Sequence, residues 1–232
     1  MSWLELERRP EPEVMSEEDE VSAYASAASQ EHLEALDNTF VEQVRSLAPP
    51  AGQLAGLLLD IGCGPGNIAL KIVRRCPGLS VIGLDYSLNM VQAARRAAAE
   101  ARIESRALFQ QGSATEVPFA DGTFDIVISN SVLHHLAYPL KVFEEMLRVA
   151  KPEGTILVRD LCRPSRLAYS WHVRWYGRHY TGLMRKLFED SVRAAYTPHE
   201  LAGLLGRCGM SNAHIFLQKR SHMGFLYRGQ PQ

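Results

Sequence analysis

Between Leu57 and Arg159 short, continuous apolar runs alternate with stretches of helical period, and few architectures accept that alternation. Strands are predicted over 57–61, 80–84, 107–110, 124–129 and 155–159. Helices are predicted over 67–76, stopped by Pro77-Gly78, over 89–103, and over 140–150, closed by Lys151-Pro152-Glu153-Gly154. Strands that are apolar along their whole length are buried on both faces, so the sheet is parallel and carries helices on each side. After a break, a helix over 198–207 and strands over 214–218 and 223–227 resume the pattern, the last two as a hairpin at the sheet edge. The expected fold is α/β: a doubly wound, mostly parallel, seven-stranded sheet with an antiparallel edge strand.

The segments outside this alternation differ in kind. Residues 10–20 (P-E-P-E-V-M-S-E-E-D-E) are acidic and Pro-broken, so 1–20 is expected to be disordered. Tyr24, Ala28, Leu33, Leu36, Phe40, Val44 and Leu47 recur at three- to five-residue spacings, which predicts a helical cap within 21–50. The core is expected over 51–160 and is completed by 198–232; between them lies an insertion, 161–197, dense in aromatic and basic residues. No run approaches the roughly 18 apolar residues of a spanning helix, and Met1–Pro10 has no apolar stretch behind a basic start. Cys63, Cys76, Cys162 and Cys208 are scattered, without C-x-x-C or zinc-site spacing. A reduced, cytoplasmic, metal-free protein with no membrane partner is the expectation.

One turn carries chemistry. Asp60-Ile-Gly62-Cys63-Gly64-Pro-Gly66 follows a predicted strand and opens a predicted helix. Glycines permit the turn and let a ligand approach main-chain N–H groups, at the strand ends where parallel sheets bind ligands. A tight strand-to-helix connection is the plain alternative. The spacing is G-x-G-x-G, not the G-x-G-x-x-G of dinucleotide binders, and Asp60 suits a cationic group better than a pyrophosphate. Asp85 closes the next strand, where a carboxylate can accept from both hydroxyls of a ribose; a helix N-cap is its alternative.

With L-L-L-D-I-G-C-G-P-G at 57–66, V-I-G-L-D-Y-S at 81–87, G-S-A-T-E-V-P-F at 112–119, F-D-I-V-I-S-N-S-V-L-H-H-L at 124–136 and L-R-V-A-K-P-E-G-T at 147–155, the chain resembles the class I S-adenosylmethionine-dependent methyltransferases. Within them it is most similar to the small-molecule branch of type 11 domains, over about residues 55–160. The resemblance implies a Rossmann-like sheet, S-adenosylmethionine as cofactor and S-adenosylhomocysteine as product. It places Asp60, Gly62, Cys63, Gly64 and Gly66 along the methionine part, Asp85 at the ribose with Tyr86 beside it, Ser113 and Ala114 at the adenine, and Asn130 and Ser131 at the methionine end. The chain departs from the family at Gly112-Ser113-Ala114, where relatives read G-D-A; a hydroxyl stands in for the carboxylate that accepts from the adenine amino group. Phe119 is read as core.

Methyl transfer from a sulfonium is an in-line displacement that needs no metal; the protein aligns the nucleophile and excludes water. A general base helps when the acceptor carries a proton, and His134, His135 and Asp160 are the candidates. Helix-start packing is the alternative for the histidines, and anchoring of the insertion for Asp160. The sequence after the fourth strand is not N-P-P-Y, which argues against methylation of adenine or a glutamine amide. Tyr24 and the insertion residues Trp171, Arg174, Trp175 and Arg178 are substrate candidates: paired Trp and Arg at i, i+4 suit a flat or anionic small-molecule acceptor beneath a lid. His172, His179 and His199 are read as surface or cap residues.

The formal net charge of −1 divides unevenly. Residues 1–50 hold 12 acids and 3 Lys or Arg, 51–158 hold 10 of each, and 159–232 hold 4 acids and 12 Lys or Arg. The acidic and basic flanks are expected to meet above the methyl group as attracting flaps. The basic flank keeps open an RNA or protein methyltransferase as the alternative, although no nucleic-acid module accompanies it. A dinucleotide oxidoreductase is disfavoured by Asp60, the glycine spacing and the absence of Tyr-x-x-x-Lys.

Overall fold

The structure, a computed structural model, describes residues 4–11, 31–49 and 52–229. Seven strands, β1 (Ala55–Ile61), β2 (Gly78–Asp85), β3 (Ala107–Gln111), β4 (Phe124–Asn130), β5 (Ala150–Leu161), β6 (His214–Gln218) and β7 (His222–Arg228), form one sheet in the order β3-β2-β1-β4-β5-β7-β6. The first five are parallel, with Leu58 paired to both Val81 and Ile126 and Val127 to Ile156. β7 runs antiparallel between β5 and β6, Val158 facing Phe225 and Ile215 facing it from the other side. The expected edge hairpin is thus present, with β6 outermost.

The period of two divides the core between the faces. Leu58, Ile126, Ile128 and Leu157 point to one face. They meet α1 (Glu31–Arg45), α2 (Asn67–Arg75) and α3 (Leu88–Glu100) through Phe40, Val44, Ile72, Val73, Val91 and Ala94. Leu59, Val127, Ile156 and Val158 point to the other, against α4 (Pro139–Val149) and α7 (Pro198–Arg207) through Val142, Phe143, Met146, Leu201 and Leu205. Each such side chain contributes about 2 kcal/mol when fully buried. Ser87 caps α3 by accepting from the Met90 N–H, and Thr197 with Glu200 forms a capping box on α7.

Two expectations change, at Lys151–Gly154 and at the N-terminus, while the insertion takes helical form. Lys151–Gly154 does not simply close a helix: β5 begins at Ala150, paired with Phe124, and a bulge absorbs the four residues before Thr155 pairs near Ile126. The insertion folds into α5 (Tyr169–Tyr176) and α6 (Gly182–Ala194). Residues 4–11, expected to be disordered, are packed: Leu6 is buried, Arg9 N–H donates to the Arg193 carbonyl, and Arg8 donates to the carbonyls of Ala194 and His134 while lying over the Tyr196 ring. Arg8 and Arg9 tie this strap to the end of the insertion, and Glu11 lies 3.6 Å from His135. Tyr24 and residues 12–30 lie outside the described residues.

Arg159, on β5, is 1% exposed and ties these layers together. Its Nε donates to Asn130 Oδ1 at 2.7 Å, one terminal nitrogen to Thr39 Oγ1 at 2.8 Å, and the other to the Leu36 carbonyl at 3.2 Å, with the guanidinium over the Phe40 ring. α1 therefore docks on a buried cation, which remains charged at neutral pH although burial lowers its pKa to about 10. Arg159→Met leaves the Leu36 carbonyl and Thr39 hydroxyl without this donor. The expected cost is about 3 kcal/mol, read as a lower urea midpoint, with proteolysis within 31–49 ahead of global unfolding.

Candidate active site

The strand order reverses direction between β1 and β4, so the crevice beyond their carboxyl ends is the ligand position of a doubly wound sheet. A cavity of about 390 Å³ lies there, lined by Gly62, Gly64, Asp85, Tyr86, Gly112, Ser113, Ala114, Asn130 and Ser131 among others. Gly62, Gly64 and Gly66 all have positive φ. At Gly66 a Cβ would meet Phe109 and Ala94 at 2.9 to 3.0 Å, so this glycine serves helix packing, whereas Gly64 has open space above it. Asp85 accepts from the Gly64 N–H at 2.8 Å and the Ser87 N–H at 2.9 Å. Each oxygen keeps a second lone pair for a ligand hydroxyl. Ser87, not Asp85, is the helix cap.

Asp60 is 2% exposed, and its Oδ2 has no hydrogen-bond partner among the described residues. It lines a recess of about 50 Å³ with Asp37, Gly62, Gly64 and Asn130. Burial first, then the charges of Asp85 and Asp37, push its carboxyl up to about 7. A buried carboxylate without a donor calls for a cationic group. Cys63, by contrast, turns its thiol into the core against Gly83, and only its main chain belongs to the turn. Ser113 Oγ is engaged within its own loop, with Thr115 Oγ1 at 2.8 Å and the Thr115 N–H at 3.2 Å. Phe119 packs edge-on against Phe124 in the core, as expected.

A second cavity, about 500 Å³, opens on the far side of Asn130, Ser131 and His135, which line both. Its walls include Leu33, Leu36, Tyr180, Met184, Leu187 and Phe188. His134, on the short 3-10 turn Leu133–His135, is buried there; its Nδ1 lies 2.6 Å from Asp160 Oδ1, and its N–H donates to Asp160 Oδ2. Burial opposes the imidazolium, but the Asp160 charge and hydrogen bond outweigh it, with Glu11 adding to them and Arg8 opposing, so the His134 pKa is raised. Asp160 is correspondingly lowered: burial pushes it up, and His134 together with two N–H donors pulls it down further. The His135 ring lies 4.0 Å from that of His134, tilted by 38°, and 3.6 Å from Glu11.

The insertion divides. Trp175 and Arg178 line the second cavity, the guanidinium 4.4 Å from the Trp175 ring centre, but Trp171 and Arg174 are exposed and do not line it. His179 is exposed, as expected, and stacks on His32 at 4.2 Å, whereas His172 is buried against Tyr176. His199 is exposed on the first turn of α7. Among the described residues no ion pair joins an acid of α1 to a Lys or Arg of 161–197; α1 meets the insertion through His32 instead. Arg159, His32, Lys219 and His222 line the cavity unforeseen, because nothing local in the sequence marks a residue whose partners are a hundred positions away.

Residues 59–158 match the family described as methyltransferase domain. The demethylmenaquinone methyltransferase of Lactiplantibacillus plantarum is 28% identical over 170 residues, 68% of this chain and 71% of that protein. Across comparable curated relatives the chain spans 54 to 74% of their length. Among solved structures, an S-adenosylmethionine-dependent methyltransferase from Methanococcus maripaludis superposes with TM-score 0.71 at 18% identity, over 97% of this chain and 98% of that one. The plantazolicin methyltransferase BpumL, in complex with a desmethyl substrate analogue and S-adenosylhomocysteine, gives 0.74 at 16% identity, over 93% of both. At these identities the structural likeness is one of fold.

Asp60 makes stability depend on pH. Between the ordinary carboxylate value of 3.8 and about 7 the folded state keeps a proton that the unfolded state has released. Stability therefore falls as pH rises across that window. Asp60→Asn is expected to unfold at higher urea than the parent at about pH 8, by up to about 4 kcal/mol, and to lose that advantage near about pH 4.

Proposed function

Because the chain belongs to the class I S-adenosylmethionine-dependent methyltransferases, we propose that it methylates a small-molecule acceptor seated in the 500 Å³ cavity, with His134 taking the acceptor's proton. The observation that carries this reading is the meeting of two cavities at Asn130, Ser131 and His135. A donor in one and an acceptor in the other approach each other only there.

The residues of the first cavity fit the cofactor. Asp85, with lone pairs remaining on both oxygens, would hold the ribose hydroxyls; Asp60, whose Oδ2 has no hydrogen-bond partner among the described residues and which lines the adjoining recess, would hold the ammonium of the methionine end, while the N–H groups of Gly62, Cys63 and Gly64 hold the turn itself through the Leu84 carbonyl and Asp85. Ser113 and Ala114 would face the adenine, with Tyr86 exposed at the rim. When bound, S-adenosylmethionine supplies an electrophilic methyl group on a good leaving group. The chain's own work is alignment, exclusion of water by the apolar walls, and proton removal. Asp160 keeps the Nδ1 proton of His134 in place, which leaves Nε2 as the basic nitrogen.

The second cavity supports an acceptor with a flat or apolar body and an anionic group. Leu33, Leu36, Met184, Leu187, Phe188 and Trp175 offer the apolar wall; Arg178 and Lys219 supply cations without an ion-pair partner among the described residues. His222, held neutral by burial at a pKa of about 3, adds polar but uncharged wall.

Asp85→Ala is expected to weaken S-adenosylhomocysteine binding by about one to two orders of magnitude in calorimetric titration, with an unchanged circular dichroism spectrum. Unchanged affinity, or binding of NAD(P) instead, would defeat the assignment of this cavity. With an acceptor found by mass spectrometry of extracts incubated with labelled cofactor, activity should rise with pH through a His134 pKa above the ordinary 6.5. Asp160→Asn should move that limb to lower pH, because the charge that raises it is gone. A limb that stays in place removes His134 from the role of base.

A further inference from the structure

Helix α5 is built inside out. Its buried side holds His172 and Val173, while Trp171 and Trp175 are 54% and 51% exposed, their rings parallel at 5.9 Å. Leu167, four residues before Trp171 in the turn that leads into α5, is 72% exposed. A folded monomer gains nothing by stacking two indoles in water beside a bare leucine. The surroundings are basic: residues 161–188 contain six Lys or Arg and no Asp or Glu, and of the six only Arg163 and Arg185 have ion-pair partners among the described residues, Glu200 and Glu189. Arg166, Arg174 and Arg178 are exposed around the row. The β6–β7 turn adds Lys219 and Arg220, joined to α5 by the Tyr176 hydroxyl donating to the Lys219 carbonyl at 2.5 Å.

We propose that this face docks on an anionic lipid surface. Indoles settle at the headgroup level of a bilayer, and a row of Leu and Trp flanked by Arg and Lys is the composition of an in-plane interfacial helix. Basic residues near an anionic leaflet each add attraction that salt screens. No described helix is long and apolar enough to cross a membrane, and docking of this kind requires none. Trp175 belongs to both the row and the acceptor cavity, so the cavity mouth opens beside the docking face. An amphiphilic acceptor would pass from the lipid into the cavity without crossing water. That last step rests on the proposed function; the docking itself does not.

The test uses the full chain, with S-adenosylhomocysteine, in flotation against phosphatidylcholine vesicles with and without phosphatidylglycerol. Binding is expected with the anionic vesicles, weakened by salt. It should fall by about tenfold or more in Leu167→Ser/Trp171→Ser and in Arg174→Glu, none of which lines either cavity. Cofactor affinity and thermal midpoint should match the parent and so exclude misfolding. Quenching of Trp fluorescence by brominated lipid should diminish in Trp171→Phe. No vesicle binding, or binding that ignores these substitutions, overturns the proposal. So does a concentration-dependent dimer, or binding of single-stranded RNA, that depends on the same residues in place of vesicle binding. Failure to bind S-adenosylhomocysteine would count against the proposed function and leave the vesicle result standing.

Discussion

A single guanidinium with almost no water around it connects everything near the site. Arg159 sits on the central part of the sheet, receives α1 through Thr39 and Leu36, and faces the amide of Asn130. A guanidinium can only donate, so Asn130 must present its oxygen to it and its NH₂ to the other side, where the Ser131 hydroxyl lies at 3.2 Å. The arginine thereby sets the polarity of the junction between the two cavities. An apolar side chain in its place would leave the Leu36 carbonyl and the Asn130 oxygen without this donor. The case for a cation here is orientation of the amide and placement of α1.

The same junction carries local strain. Ser131, immediately after β4, has φ of +59°, a left-handed conformation that costs a serine about 1 kcal/mol, and its N–H is anchored to the Arg159 carbonyl. The kink swings the chain from the strand into the 3-10 turn that holds His134 over Asp160. Arg159 and Asp160, adjacent on β5, thus point to opposite faces by strand alternation, one serving Asn130 and α1, the other His134. Two consecutive residues of one strand act through opposite faces, Arg159 orienting Asn130 at the junction of the two cavities and Asp160 holding His134.

The sheet was legible in the sequence because each strand advertises its burial locally, as Leu57-Leu-Leu does. The glycine turn was legible because φ and close approach act on single residues. What was hidden depends on contacts between distant positions. Arg8 finds the Ala194 carbonyl 186 residues away, which composition around an acidic terminus masks. His32 finds His179, and neither carries a motif. The bulge at Lys151–Gly154 was hidden for another reason: Pro and Gly mark a break in both a helix end and a strand, and only the partner strand decides between them. For Trp171 and Arg174 the i, i+4 spacing gave the helix correctly but not its rotation, since an amphipathic pattern says which residues share a face and not which face is buried.

The antiparallel placement of β7 has an architectural consequence. A further parallel strand would need a crossover of a dozen or more residues, and its connection to the preceding strand would lie at the far end of the sheet. A hairpin instead delivers its tip, Lys219-Arg220, to the same end as the glycine turn, within reach of the acceptor cavity. Both tip residues have positive φ, +50° and +59°, where Asn-Gly would be more comfortable. Two cations are retained at a bend that disfavours them. The tip touches the cofactor cavity nowhere and its two ends are pinned by the ladder, so its side chains can vary while the catalytic framework stays fixed. The hairpin is a tool head on a fixed handle, and one turn's backbone comfort is given up to set Lys219 in the wall of the second cavity.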